Sequence, residues 1–344
     1  LIGGGGTIDG NTLSFDVVGG QTYTVGLMSG GGMSHYDVNV QLEENVVDWG
    51  VIERSQFSGV TVAGEQWYSI TTTRAGLATI EASNVGGTSV TLEFYTSDGQ
   101  TLIDSDISSS GYNRVDANVL AGDTLLVRVV GNCDVDFNAW NIVGVTGTHV
   151  DVFGTNGGDT LSFTAGATHD VSVNGLAYSF NTTEAATVTF HGGDGNDTYT
   201  ANGSTGDDVA TASAGTARVI GNGYDVTARH VEQVQFNGGG GYDSVRMWDT
   251  AGDENLVADP TTVQLTGTGF QYTANGFDEV KVYANNGGTD TAVLNGSSGD
   301  DFFLARDTYA YFSGSGFYNF VKGFDVVQAD ASAGGYDRAR FYDS

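Results

Sequence analysis

The stretch VQFNGGGGYDSVRMWDTAGDENL (234–256) returns 46 residues later as VKVYANNGGTDTAVLNGSSGDDFF (280–303). The same block stands upstream as VTFHGGDGNDTYTANGSTGDDVA (188–210) and downstream as VQADASAGGYDRARFYDS (327–344). Its anchor aspartates, Asp197, Asp243, Asp290 and Asp337, lie 46, 47 and 47 residues apart. A more degenerate copy begins near GTNGGDTLSF (154–163). A fixed period of this length marks stacked supersecondary units, each too small to bury its apolar face without its neighbours.

The repeat has an internal half-period. Small turns GNGY, GTGF and GSGF, at Gly221, Gly267 and Gly314, fall midway between the anchors, and the merged series steps by 24, 22, 24, 23, 24 and 23 residues. A second series of acids, Asp208, Glu232, Glu254, Asp278, Asp301 and Asp325, steps by 24, 22, 24, 23 and 24. This reads as an all-β fold containing a parallel β-solenoid with coils of about 23 residues and a two-coil sequence repeat. On that reading residues 244–248 and 290–294 lie two coils apart in register on one sheet. The coil interior is filled by Val234, Val280 and Val327 and by Tyr224, Phe270 and Phe317.

Composition agrees. Fifty-three Gly with a single Pro (Pro260), and no collagen triplet, point to turn-dense β structure, while 18 Phe and 16 Tyr supply a core. The formal charge is −30, from 12 basic and 42 acidic residues. Such a surface repels phosphate backbones and anionic headgroups, so nucleic-acid binding and membrane insertion are not expected. No apolar run reaches the roughly 18 residues of a membrane span, and LIGGGGTIDG lacks the features of a signal peptide. The lone Cys133 has no partner for a disulfide and reads as a small apolar filler.

Before residue 146 the pattern changes to strict alternation. Val90, Leu92 and Phe94 oppose Thr91, Glu93 and Tyr95, and the run ends at Asp98-Gly99, a hairpin signal. The runs Leu13, Phe15, Val17 and Tyr36, Val38, Val40, Leu42 alternate likewise, as half-buried strands of an antiparallel sandwich do. GEQWYSITTT (64–73), VTLEFYTSDGQTLIDSD (90–106) and LAGDTLLVRVVG (120–131) make residues 57–143 resemble the bacterial pre-peptidase C-terminal (PPC) domain, a β-sandwich appended to secreted proteins. In that family an acid directly precedes the Trp-Tyr pair; here Gln66 stands there, with Glu65 one step earlier. GGQTYTV (19–25) matches AGDTLLV (121–127), and DVNV (37–40) matches DFNA (136–139), so residues 1–46 read as the C-terminal half of a preceding sandwich. The expected organisation is a half-domain over 1–46, a PPC-like sandwich over 47–145 and a solenoid over 146–344 that stops in mid-repeat.

GGDGNDTYT (192–200) and GGGGYDSVR (238–246) fit the glycine-rich nonapeptide of repeats-in-toxin β-rolls. That resemblance implies calcium held by turn carbonyls and by the carboxylates of Asp197 and Asp243, with Asp194 adding charge. Asn286 and Ala333 replace the second Gly at the turns of Asp290 and Asp337, which implies weaker sites there. The second acid series, represented by Asp208 and Asp301, brings like charges together at coil spacing. It calls for cations between them, or else the acids splay into water or cap turns by accepting backbone N–H bonds.

No motif for catalysis emerges. The five histidines are scattered, no H-E-x-x-H, G-x-S-x-G or phosphate-cradling loop occurs, and the carboxylates recur in every copy, as structural groups do. The sequence therefore points to a non-catalytic structural or adhesive segment of a large secreted or cell-surface bacterial protein, calcium-stabilised or assembling into filaments or layers. Its partners would be neighbouring domains, identical subunits or surface glycans. Two alternatives stay open: an accessory tail of a secreted hydrolase, and a carbohydrate-binding module that displays aromatics such as Trp248 and Tyr342.

Overall fold

The computed structural model describes residues 7–9, 12–14, 46–87, 90–107 and 111–342. The chain divides into two units, Leu1–Glu44 and Asn45–Ser344. In the first, Thr7–Asp9 pairs antiparallel with Thr12–Ser14. The expected strands around Phe15, Val17 and 36–42, and with them the half-sandwich, lie outside the described residues. Among the described residues every helix or strand is a strand, so the chain is all-β.

The second unit begins as a sandwich. Its spine is the long strand Thr124–Thr146, paired along one side with Arg54–Thr72 and on the other with Thr91–Thr96 and Gly76–Gly87. The alternating residues read from the sequence do what alternation requires: Val90, Leu92 and Phe94 are buried with Ile70, Ile80, Val127 and Phe137 in one core. The turn at Asp98-Gly99 closes the hairpin, with Gly99 at φ +67°. Free Cys133 is buried beside Val62 and Val135 in the same core.

Sandwich and solenoid share a strand. The end of Thr124–Thr146 turns at Gly147 and pairs antiparallel with His149–Phe153, the first solenoid strand. Arg54 donates to the carbonyls of Phe153 and Gly154, Arg114 donates to the Ala177 carbonyl (2.8 Å), and the Arg74 guanidinium lies over the Phe153 ring. Apolar packing is continuous as well, since Ile142 and Val143 belong to the solenoid core.

The solenoid is two facing sheets. Sheet I runs through Thr160–Thr164, Thr198–Asn202, Gln233–Asn237, Phe270–Asn275, Asn255–Ala258, Thr291–Asn295 and Val326–Asp330. Sheet II runs through His149–Phe153, Thr187–His191, Tyr224–Arg229, Val209–Ser213, Ser244–Trp248, Glu279–Tyr283, Phe317–Lys322, Phe302–Ala305 and Arg338–Phe341. Successive turns pair in parallel, as His149↔Thr187, Thr198↔Gln233, Ser244↔Glu279 and Glu279↔Tyr318 show. Inward residues alternate along the strands up to Phe317–Lys322 and interleave in one core, including Tyr224, Val234, Phe270, Val280 and Phe317; Val327 packs against it, and Val326–Asp330 and Arg338–Phe341 carry no fully buried residue.

The coil length departs from the sequence reading. A strand and its parallel neighbour are separated by 35 to 39 residues, as in the registers Ser244↔Glu279 and Glu279↔Tyr318, rather than by about 23. Each repeat contains an antiparallel three-stranded meander, for example Asn255–Ala258, Thr262–Gly267 and Phe270–Asn275, that steps forward along one sheet and folds back. The small turns at Gly221, Gly267 and Gly314 are the second hairpins of these meanders, and that is why they fall midway. Each repeat crosses between the sheets three times. Because three is odd, equivalent strands alternate sides: Ser244–Trp248 is in sheet II and Thr291–Asn295 is in sheet I, so they do not share a sheet as expected.

Candidate functional site

An acid directly precedes most strands that open a new level of the solenoid, Thr187–His191 with Ala186 before it being an exception. Asp159, Asp197 and Glu232 precede sheet I strands, Asp208, Asp243 and Asp278 precede sheet II strands, and Glu254, Asp290, Asp325 and Asp301, Asp337 continue the pattern. These acids form ladders between turns. The backbone N–H of Asp208 donates to Asp243 Oδ1 (2.8 Å), and that of Asp243 donates to Asp278 Oδ2 (2.9 Å). Asp159 donates to Asp197 (2.7 Å), Asp197 to Glu232 (2.8 Å), Glu254 to Asp290 (2.8 Å), Asp290 to Asp325 (2.8 Å) and Asp301 to Asp337 (2.9 Å). The carbonyl of Asp243 returns the contact, accepting from the N–H groups of Asp278 and Glu279. Each level thus satisfies main-chain groups that the corner would otherwise bury unpaired.

The inner acids are held a second time from four residues upstream. Thr155 fixes Asp159, Ser204 fixes Asp208, Thr250 fixes Glu254 (2.6 Å) and Ser297 fixes Asp301. Tyr224 adds its hydroxyl to Asp208 Oδ1 (2.6 Å). A Ser/Thr-x-x-x-Asp/Glu spacing was therefore present in the sequence at 155/159, 204/208, 250/254 and 297/301. Reading acids by their own period alone overlooked it, and with it Asp159.

The five residues singled out for calcium separate accordingly. Asp197 and Asp243 are buried in the ladders, and Asp208 and Asp301 are buried and saturated with hydrogen bonds from their serines and turns. The structure brings Asp208 to Asp243, whereas Asp194 stands exposed on the turn 192–196. Asp208 and Asp301 accept from the main-chain N–H groups of Ser204 and Ser297, as turn-capping acids do.

Corner glycines make the close stacking possible. A Cβ on Gly154, Gly203 or Gly296 would sit 2.7, 2.5 or 2.9 Å from Oδ2 of Asp159, Asp208 or Asp301. The equivalent position in the remaining repeat is not Gly but Asp249, and its ladder acid is Glu254, one methylene longer. Asp249, Glu254 and Asp290 are all buried, with carboxylate oxygens within 4.8 Å of one another. Sequence reasoning missed Asp249, although the break in the Gly pattern was visible.

Among the described residues no ladder carboxylate makes an ion pair with Arg, Lys or His within 4 Å. Burial, then the neighbouring carboxylates, push Asp243 up to about 6 and Asp290 likewise to about 6, and burial raises Asp197. For Asp243 the groups facing it are Asp208, Asp278 and Asp207, all acidic. Between the ordinary carboxylate range near pH 4 and about 6 the folded state then binds more protons at Asp243 than the unfolded state does. This group's contribution to stability accordingly falls as pH rises through that window. Melting profiles between pH 4 and 7 in chelator are expected to show the slope, and Asp243→Asn to flatten it; an identical slope in the variant would remove Asp243 as its source.

The outer faces differ from one another. Sheet I carries no Lys or Arg on its strands and presents polar side chains, with Asn275, Asn237 and Asn202 linked by amide hydrogen bonds of 2.9 and 2.7 Å and Asn202 bonded to Thr164. Sheet II carries an aromatic row: Trp248 stacks on Tyr283 (5.8 Å), which meets Phe320 (6.1 Å), which stacks on Tyr309 (5.6 Å). Lys281 and Lys322 share strands with Tyr283 and Phe320 on that face. Tyr342 lies under the Arg306 guanidinium, 4.2 Å from its centroid.

At the Glu65–Trp67 corner of the sandwich, the carboxylate is engaged by Trp67 Nε1 (2.9 Å) and by Arg128 (2.6 Å), which also pairs with Glu93 (2.7 Å). Those pairs hold the Arg128 guanidinium further above its ordinary value.

No family model and no curated protein matches this sequence. Among solved structures, the chain is similar to the pre-peptidase C-terminal domain of a collagenase from Bacillus anthracis at 16% identity and a TM-score of 0.23, over 29% of this chain and 97% of that one. It is also similar to PliG, a periplasmic inhibitor of g-type lysozyme from Aeromonas hydrophila, at 10% identity and a TM-score of 0.22, over 28% of this chain and 96% of that one.

Proposed function

We propose that this chain is a non-catalytic structural segment of a secreted or cell-surface protein, a stiff acidic spacer with an adhesive or assembly role. The carrying observation is continuity. One apolar core runs from Ile142 to Val321 without interruption, and a strand shared with the sandwich couples the two modules. A shape of this kind transmits position rather than enclosing a substrate, and the buried acids are used to join its levels.

The test is mechanical. Unfolding in urea is expected to show the fluorescence of Trp49 and Trp67 in the sandwich changing together with that of Trp140, packed against the solenoid core, and of Trp248 in the solenoid, read one at a time in single-Trp variants. Pulling by single-molecule force spectroscopy should then give one dominant event. Separate midpoints and many small independent events would contradict a single stiff unit.

A second reading has its own observation, the aromatic row on sheet II, since planar rings on a flat sheet suit the apolar faces of sugars. Retention on an immobilised bacterial glycan that is lost in Trp248→Ala with Tyr283→Ala, at unchanged melting temperature, would make the face adhesive. No retention by the parent chain across a glycan panel would leave the spacer role alone.

A further inference from the structure

The corner of Asp249, Glu254 and Asp290 differs from its counterparts in two coordinated ways. Gly154, Gly203 and Gly296 each stand beside an Asp whose carboxylate fills the corner, and there is no room there for a side chain. In this repeat a second carboxylate, Asp249, enters that space, and the ladder acid lengthens to Glu254. The outcome is three buried carboxylates with oxygens within 4.8 Å of one another, the one such group among the described residues, with no basic side chain there in ion-pair range.

The donor groups present do not satisfy this set. Asp249 accepts from the Asn286 N–H (2.7 Å) and the Asn286 amide (2.8 Å), Asp290 Oδ1 accepts from the Glu254 N–H (2.8 Å), and Glu254 Oε1 accepts from Thr250 (2.6 Å). Glu254 Oε2 has no donor among the described residues, although Glu254 is only 2% exposed, and oxygens of Asp249 and Asp290 lie within 4.8 Å of its carboxylate. A buried acceptor facing like charges is costly to leave unmatched.

We infer that Asp249, Glu254 and Asp290 form a binding site for a single calcium-class divalent cation. All donors are oxygens, which selects hard cations over zinc or copper. Calcium–oxygen bonds of 2.3–2.6 Å set three oxygens spread around one ion about 4.0–4.5 Å apart, so atoms within 4.8 Å of one another need close by no more than roughly an ångström to share one calcium. Magnesium would draw the same three oxygens in to about 3.5–3.6 Å and dehydrates reluctantly, and so it suits a closed all-carboxylate corner less well. Asn286, which the glycine pattern marks as a weakness of this turn, becomes the residue that orients Asp249. The ion would join residues 249–254 to 286–290, which belong to successive levels of sheet I and its connections.

The test uses the whole chain, stripped with chelator and titrated with calcium chloride by calorimetry and equilibrium dialysis. The double variant Asp249→Gly with Glu254→Asp rewrites this corner as the neighbouring repeats write theirs. It is expected to melt in chelator at or above the parent's temperature, to bind one calcium fewer, and to lose the corresponding rise in melting temperature. The single variant Glu254→Gln, an isostere that keeps an acceptor for Thr250, should lose the same equivalent if the double variant does not fold. Unchanged stoichiometry in both variants, no binding by the parent, or displacement of calcium by equimolar magnesium would each overturn the assignment.

Discussion

A methyl group added at Gly192 is expected to be among the most damaging small substitutions in the solenoid, costing more than about 4 kcal/mol and leaving little folded protein. The Cβ of Gly192→Ala would sit 2.0 Å from the His230 carbonyl oxygen and 2.5 Å from Asp197 Oδ2. The first of these is main chain in the next level, so relief requires the two turns to separate, which also breaks the Asp197 ladder. The control is Gly223→Ala, in a hairpin loop where nothing lies within 4 Å and only the φ of +89° is at stake. There the cost should be about 1–2 kcal/mol. Urea denaturation of the two variants beside the parent measures the contrast, and comparable losses would show that level-to-level contact is looser than the structure has it.

Asp243→Ala is expected to destabilise by about 2–4 kcal/mol, next in size. It removes the acceptor of the Asp208 N–H, a group sealed in the corner with no alternative partner in view, and opens a cavity beside Gly238. Asp243→Asn keeps Oδ1 and removes a carboxyl that burial has already pushed up, so at pH 7 it should lie within about 1 kcal/mol of the parent. The pairing of a harmful Ala with a tolerated Asn separates hydrogen-bond acceptance from charge. Equal losses in both would mean that the carboxylate itself is needed, as a cation ligand is.

Much of this was legible in the residues. The 46–47-residue spacing of Asp197, Asp243, Asp290 and Asp337 comes from identical local geometry at each corner, and alternation placed Leu92, Phe94, Val234 and Phe270 inside. What misled was treating an even half-period as a coil. The Asn174-Gly175 and Asn222-Gly223 pairs flanked by strands are hairpin signals, and Asn174 and Gly175 do adopt the positive φ of a primed turn (+52° and +85°). Had they been read as hairpins, the meander and the alternation of sheets would have followed. The acids could be located but not their partners, because the Asp208–Asp243 contact spans 35 residues and depends on register across levels. The Asp249 cluster needed the same information.

Corner acids fasten one level of the solenoid to the next, and amide hydrogen exchange tests that most directly. The N–H groups of Asp159, Asp197, Asp208, Asp243, Glu254, Asp290 and Asp301 each donate to a carboxylate one level on. They are predicted to exchange in the slowest class, through the same opening that exposes core strand amides such as those of Val234 and Val280. Exchange at these corners as fast as at the exposed hairpin residues 222–223, with the strands still protected, would contradict it.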